Sequence, residues 1–188
     1  TLRFGVLENN IVVIPNGIDI SKFPVGAIEK RENQLLFVGS LIERKGVKFL
    51  LEAMLTIKQT FPEYRLLIVG EGDQKKILDE FAKNHELSSC VQFLGTRSQS
   101  QVGELMRKSK LLILPSIEEG QGVVLVEALA SGTPCIGSRV GGIPDVITAE
   151  VGSLFEPGDA KDLAKCITEF LENNNKWVAT SRAARYRA

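Results

Sequence analysis

Histidine is almost absent from the sequence. The one imidazole, His85, lies in the charged segment "AKNHEL" and reads as a surface residue. No histidine metal cluster can be built from it, and a Ser-His-Asp triad has no support. Cysteine is sparse as well: Cys90, Cys135 and Cys166 are scattered and odd in number. That excludes a disulfide framework and a cysteine metal site, and leaves reduced, packed thiols. Neither sign of charge is in excess, because 23 Lys and Arg balance 23 Asp and Glu. A chain without a net positive field is a poor general binder of nucleic acid. No apolar run is long enough to span a bilayer, and no signal-peptide pattern opens the chain. The nucleoside-triphosphate loop G-x-x-x-x-G-K-[ST] is missing. "GEGDQ" at 70–74 has two glycines of a dinucleotide fingerprint, but Lys75 stands where the third would fall.

What is present is a regular alternation. The 188 residues are 44% apolar, enough for a proper core. Apolar strand patterns at 34–39, 64–70, 90–95, 110–116, 134–138 and 152–157 alternate with helical patterns at 47–57, 74–84, 98–109, 122–131 and 159–173; a further short strand pattern, "IVVI", falls at 11–14. The helices at 47–57 and 74–84 offer Val47, Leu50, Leu51, Met54 and Leu55, and Ile77, Leu78, Phe81 and Ala82, as their inner faces. Uniformly apolar strands are covered on both faces. Strand alternating with helix then implies an α/β fold: a doubly wound, Rossmann-like parallel sheet of about six strands with helices on both faces, expected as one domain over 1–188.

Ligands on such sheets bind beyond the carboxyl ends of the strands. The residues there are Gly39-Ser40, Gly70-Glu71-Gly72, Gly95-Thr96, Pro115-Ser116 and Gly137-Ser138. The fourth leads into "SIEEGQGVVLVEALASG", residues 116–132. There a strand turns into a helix through Gly120, Gln121, Gly122 and Val123. Glycine lets a ligand approach the backbone closely, and the helix N-terminus offers free N–H groups to an anion. Glu119 reads either as a helix-start acid favoured by the dipole or as a ligand group. Glu127 sits among Leu125, Val126, Ala128 and Leu129, where a carboxylate needs a partner, such as the paired hydroxyls of a ribose. A second loop, "GSLIERKG", carries Arg44 and Lys45 to another helix start, which suits a diphosphate.

The ordered set of these motifs resembles the C-terminal, donor-binding domain of the retaining GT-B glycosyltransferases, glycosyl transferases group 1. "VIPNGID", "FVGSLIERKGVKFLLEA", "LLIVGEG", "VQFLG", "LLILPS" and "GSLFEPGDAKDLAKCI" all fit it in order. So does "EEGQGVVLVEALASGTPCIGSRVGGIPDVI", whose glutamates 119 and 127 are separated by seven residues.

The resemblance implies that Lys45, with Arg44, neutralises a donor diphosphate. Glu127 would accept from the ribose, and Glu119 would act at the transferred sugar near the reaction centre. Gly39, Ser40, Gly70, Gly120, Gln121, Gly122 and Val123 would line the donor site, with the base near Leu94 to Arg97. It implies a UDP-, GDP- or ADP-sugar as substrate, no cofactor and no metal. An acceptor glycan or lipid would be held by an N-terminal domain absent from this chain, and 174–188 would begin a helix crossing back to that domain. A cytoplasmic protein, peripheral at the inner face of the membrane, is expected. Two positions depart from the pattern: Ser40 stands where the family has arginine, and Gln121 where it commonly has an aromatic. A nucleotide-sugar epimerase and a non-catalytic nucleotide-sugar-binding domain remain alternatives.

Overall fold

The computed structural model describes residues 16–25, 27, 28 and 31–188. The strand expected at 11–14 lies outside them. Six parallel strands form one sheet: β1 (Gln34–Val38), β2 (Arg65–Val69), β3 (Val91–Gly95), β4 (Leu111–Leu114), β5 (Cys135–Ser138) and β6 (Gly152–Phe155), in the order β3-β2-β1-β4-β5-β6. Successive residues of a strand face opposite sides, so consecutive buried residues need cover on both. Leu35, Leu36 and Phe37 of β1 are all 0% exposed, as are Leu111, Leu112 and Ile113 of β4. Leu35 stands in register between Leu66 and Leu111, at the centre of the core.

That cover comes from helices. α1 (Val47–Thr60) packs on α2 (Lys75–Asn84) and α6 (Ala160–Glu172), whereas α4 (Val123–Ala130) packs on α3 (Gln99–Lys108) and α7 (Asn174–Arg187). The short α5 (Ile143–Val146) was not legible as a helix in the sequence. In α1 the buried stripe runs through Val47, Leu50, Leu51, Met54 and Ile57, with Leu55 only half-buried. In α2 only Leu78 and Ala82 are buried, one turn apart. Ile77, expected inside, is turned about 100° from Leu78 and is 58% exposed. α3 opens on a capping box: Ser98 Oγ accepts from Gln101 N at 3.3 Å, and Ser98 N donates to Gln101 Oε1 at 2.9 Å. Asp159 caps α6 by accepting from Lys161 N and Asp162 N.

Arg31, just before β1, ties two helix ends together. Its guanidinium is buried and donates from Nη1 to Met106 O (3.1 Å), Ser109 O (2.7 Å) and Thr133 Oγ1 (2.7 Å). From Nη2 it donates to Ser131 O and Gly132 O, both at 2.8 Å. Four of these acceptors are carbonyls at the ends of α3 and α4, where a cation also meets the negative end of each dipole. Burial, with help from Arg107, lowers its pKa to about 10, so it stays charged at neutral pH.

α7 docks on the same corner. Ser181 Oγ donates to Gly132 O at 2.7 Å, Arg185 to Phe23 O and Ala130 O, and Trp177 Nε1 to Lys110 O at 2.7 Å. The Lys110 ammonium lies 3.9 Å from the centre of the Trp177 ring.

Candidate functional site

The chain enters the sheet at its centre, winds outward through β1, β2 and β3, and returns to lay β4 against β1 on the other side. The loops after β1 and β4 therefore leave in opposite directions, and a crevice opens between them at the carboxyl end of the sheet.

A glycine brings the two loops together. Gly46 has φ +62°, and a Cβ there would lie 2.1 Å from Pro115 O. Only glycine lets the end of the β1 loop press on the end of β4 in this way. Arg44 O then accepts from Ile117 N at 2.7 Å and from Glu118 N at 3.3 Å, which fastens loop to loop.

These contacts aim Lys45 at Glu119. Nζ lies 2.5 Å from Oε2, with the two side chains 15% and 10% exposed. Ser116 Oγ donates to the same Oε2 at 3.3 Å, and Gly120 N donates to Oε1 at 3.0 Å. Burial alone would push the Glu119 carboxyl up. Lys45, the Gly120 amide and the Ser116 hydroxyl outweigh it and hold the carboxyl below its ordinary range. Ser138 Oγ at the end of β5 donates to Ser116 O, and the loop beyond β5 braces the turn from outside. Gly142 N donates to Gly120 O at 2.8 Å, and Gly141, at φ +50°, has no room for a Cβ, which would lie 1.8 Å from Glu119 O.

Past Glu119 the turn opens into α4. Nothing lies within 4 Å of a Cβ placed on Gly120, so its approach is clear. Gly122 precedes α4, whose first amides, beginning at Val123, have no acceptor within the helix and no side-chain cap. Gln121 explains its own departure from the family pattern: Oε1 accepts from Asn16 N at 2.8 Å, and Nε2 approaches Asn16 O at 3.5 Å. Where an aromatic ring would fill space, an amide grips the backbone of the "PNGID" segment.

Glu127 is half-buried on α4, and burial pushes its carboxyl up, an effect partly opposed by the neighbouring Gln99 in the first turn of α3. Among the described residues it has no ion-pair partner. The two glutamates thus differ electrically, one held ionised by a cation and one left costly to ionise.

Gly39, Ser40 and Gly70 line a cavity of about 320 Å³ beyond β1, β2 and β3, together with Glu71, Thr96, Arg97 and Val102. Glu71 is engaged by Lys75 at 2.7 Å, so Arg97 is the one cation of that lining without an ion-pair partner among the described residues. Arg44 is not part of this lining. It faces a separate cavity with Ile42, Glu43, Asp73, Ile117 and Glu118. The site residues expected from sequence therefore fall into two groups, Lys45–Glu119–Gly120 and Gly39–Ser40–Gly70, with Glu127 on α4 beside Gln99 of α3. Sequence reading missed the bracing by Gly141 and Gly142; the doubled glycine in "RVGGIP" was its only signal. Among the described residues no three His, Cys, Asp or Glu side chains come together as a metal site.

A family model for "Glycosyl transferases group 1" matches residues 19–187. A glycogen synthase of Mycobacterium tuberculosis is 34% identical over 190 residues, covering 100% of this chain and 46% of that protein. The chain thus spans about half the length of that relative. Among solved structures, Anabaena Alr3699/HepE in complex with UDP-glucose superposes with a TM-score of 0.85 at 25% identity, covering 97% of this chain and 53% of that one. The C-terminal domain of a group 1 glycosyl transferase from Francisella tularensis, crystallised by itself, superposes at 0.82 with 21% identity, over 91% of this chain and 96% of that one, a likeness of fold. With the sheet order, the braced Glu119 turn and these matches in hand, the chain belongs to the glycosyl transferases group 1 family, as a C-terminal GT-B domain.

Proposed function

We propose that this chain is the donor-binding half of a glycosyltransferase that moves a hexosyl group from a nucleoside diphosphate sugar to a glycan or lipid-linked acceptor, with retention at the anomeric carbon. The observation that carries the reading is the meeting of Lys45, Glu119 and the open N-terminus of α4 in the crevice between β1 and β4. The nucleoside lies in the cavity of Gly39, Ser40, Gly70, Thr96 and Arg97, and Glu127 accepts from the ribose hydroxyls. The diphosphate crosses toward Gly120–Val123 and Lys45, and the sugar faces Glu119. As the glycosidic bond breaks, the leaving diphosphate gains negative charge. One aimed donor at such a position contributes about 3 kcal/mol to the transition state. With an ammonium and helix amides in that role, the reading needs no metal. The acceptor belongs to a domain outside this chain. A cytoplasmic protein is part of this proposal; among the described residues no helix is long and apolar enough to cross a membrane.

Calorimetric titration of UDP, GDP and ADP into the wild type and Lys45→Ala tests this reading. One diphosphate is expected to bind, and Lys45→Ala is expected to weaken it by about tenfold, the worth of a hydrogen bond to a charged group. Equal affinity in the two proteins would remove Lys45 from the site.

A further inference from the structure

The Lys45–Glu119 ion pair bears on which ligand the site prefers, given the nucleotide-sugar reading above. The cation that faces the diphosphate is already engaged inside the protein: among the described residues the Lys45 ammonium has one acceptor, the Glu119 carboxylate, at 2.5 Å. Both side chains are largely out of solvent, at 15% and 10% exposure, so separating them is far from free. A ligand that draws Lys45 away leaves Glu119 with two neutral donors, Ser116 Oγ at 3.3 Å and Gly120 N at 3.0 Å.

The two relevant ligands treat that carboxylate differently. A sugar diphosphate brings hydroxyl donors to the place the ammonium vacates. A bare nucleoside diphosphate brings no donor there, only a terminal phosphate with more negative charge. We propose that Lys45 and Glu119 form a counter-ion exchange pair that favours the sugar-bearing nucleotide over the bare diphosphate. Binding the sugar nucleotide moves Lys45 to the diphosphate and gives Glu119 the sugar hydroxyls. Once the sugar has left, Lys45 still faces the diphosphate, and Glu119 keeps neither the ammonium nor the sugar hydroxyls, a cost that weakens the hold on the bare product. Glu119 is then a specificity-determining residue as well as a contact to the sugar, and its negative charge works against the bare product.

A double-mutant cycle on this chain reads the exchange directly. UDP, GDP and ADP are titrated into the wild type, and the tightest is carried forward with its glucose conjugate. The substitutions are Glu119→Gln, Lys45→Met and both together, with thermal melts to verify folding and Glu119→Ala as a second removal of the carboxylate. Glu119→Gln is expected to tighten the bare diphosphate by about tenfold, which is 1.4 kcal/mol. The glucose conjugate gains less, so the preference for it falls. In the Lys45→Met background the gain from Glu119→Gln disappears, because there is no cation to release. The same gain in both backgrounds would mean simple repulsion and overturn the exchange, as would no gain in either. Failure of all three diphosphates and of their glucose conjugates to bind the wild type would overturn the nucleotide-sugar reading itself, and the exchange with it. Binding without coupling overturns the exchange alone.

Discussion

Glu119 and Glu127 have the same side chain with seven residues between them, yet the fold gives them opposite electrostatics. Glu119 is held ionised by Lys45; Glu127 is desolvated without a cation. For Glu127 the folded pKa is raised. A raised carboxyl contributes stability that is present below the unfolded pKa and lost as pH rises through the folded one. At neutral pH its charge is therefore a cost to folding. Glu127→Gln is expected to stabilise the unliganded chain at pH 7 by on the order of 0.5 kcal/mol, discounted for the solvent that still screens it. The gain vanishes near pH 4, where the wild-type carboxyl is protonated, and urea denaturation at the two pH values measures it. The same variant is expected to bind UDP-glucose about tenfold more weakly, having lost a charged acceptor. Weaker stability at pH 7 with unchanged binding would make Glu127 a structural residue. Such a trade of stability for binding is the mark of a residue kept for a ligand.

At the scale of elements, the site is held by loops pressed backbone to backbone. Gly141→Ala would force a side chain into a left-handed conformation and drive a Cβ to 1.8 Å from Glu119 O. It is expected to cost about 1–2 kcal/mol of stability and to weaken UDP-glucose binding by more than about tenfold, because the Glu119 turn must move. Gly120→Ala makes the control. It has open space and an ordinary φ, so its melting temperature should stay within about 1 °C while ligand affinity falls. Equal behaviour of the two variants would contradict the bracing.

Arg31 is the corresponding device at the other end of the sheet, where α3 and α4 finish. Arg31→Met takes the guanidinium from five acceptors, of which Gly132 O keeps Ser181 Oγ and Met106 O keeps Thr133 Oγ1, and is expected to cost about 3 kcal/mol. In a domain of this size that lowers the melting temperature by about 6–12 °C. A loss under about 2 °C would show that the helix ends find other partners.

Much of this was legible in the sequence where the signal is local. Runs such as "QLLFV" and "LLIL" can only be strands covered on both faces, and the six strands predicted between 34 and 157 all lie in the sheet. Glycine at strand ends and the "EEGQG" turn marked the binding end. What stayed hidden depends on long-range meeting. Lys45 and Glu119 are 74 residues apart, and periodicity cannot say that they touch. Arg31 reads as one more charge in "EKREN", because its acceptors lie 75 to 102 residues away. Gln121 was visible as a departure, but its partner Asn16 was not. Ile77 was misjudged because a short helix buries a narrower stripe than its apolar residues could fill.

For the whole molecule, equal numbers of acidic and basic residues leave no general field to collect an anionic donor. Binding must then come from the crevice alone, which has one committed lysine, an arginine without an ion-pair partner among the described residues, and a helix N-terminus. An isolated donor half should bind and transfer nothing, and sustained sugar transfer by these residues alone would contradict that division of labour. The most direct test of the central claim is a residue-resolved NMR titration of the isotopically labelled chain with UDP-glucose. The account predicts shifts at the amides of Gly39–Lys45, Thr96–Arg97 and Gly120–Val123, with the α6–α7 junction at 169–176 unmoved. Binding that shifts the junction, or the β6 edge, and leaves Gly120–Val123 unmoved would contradict it.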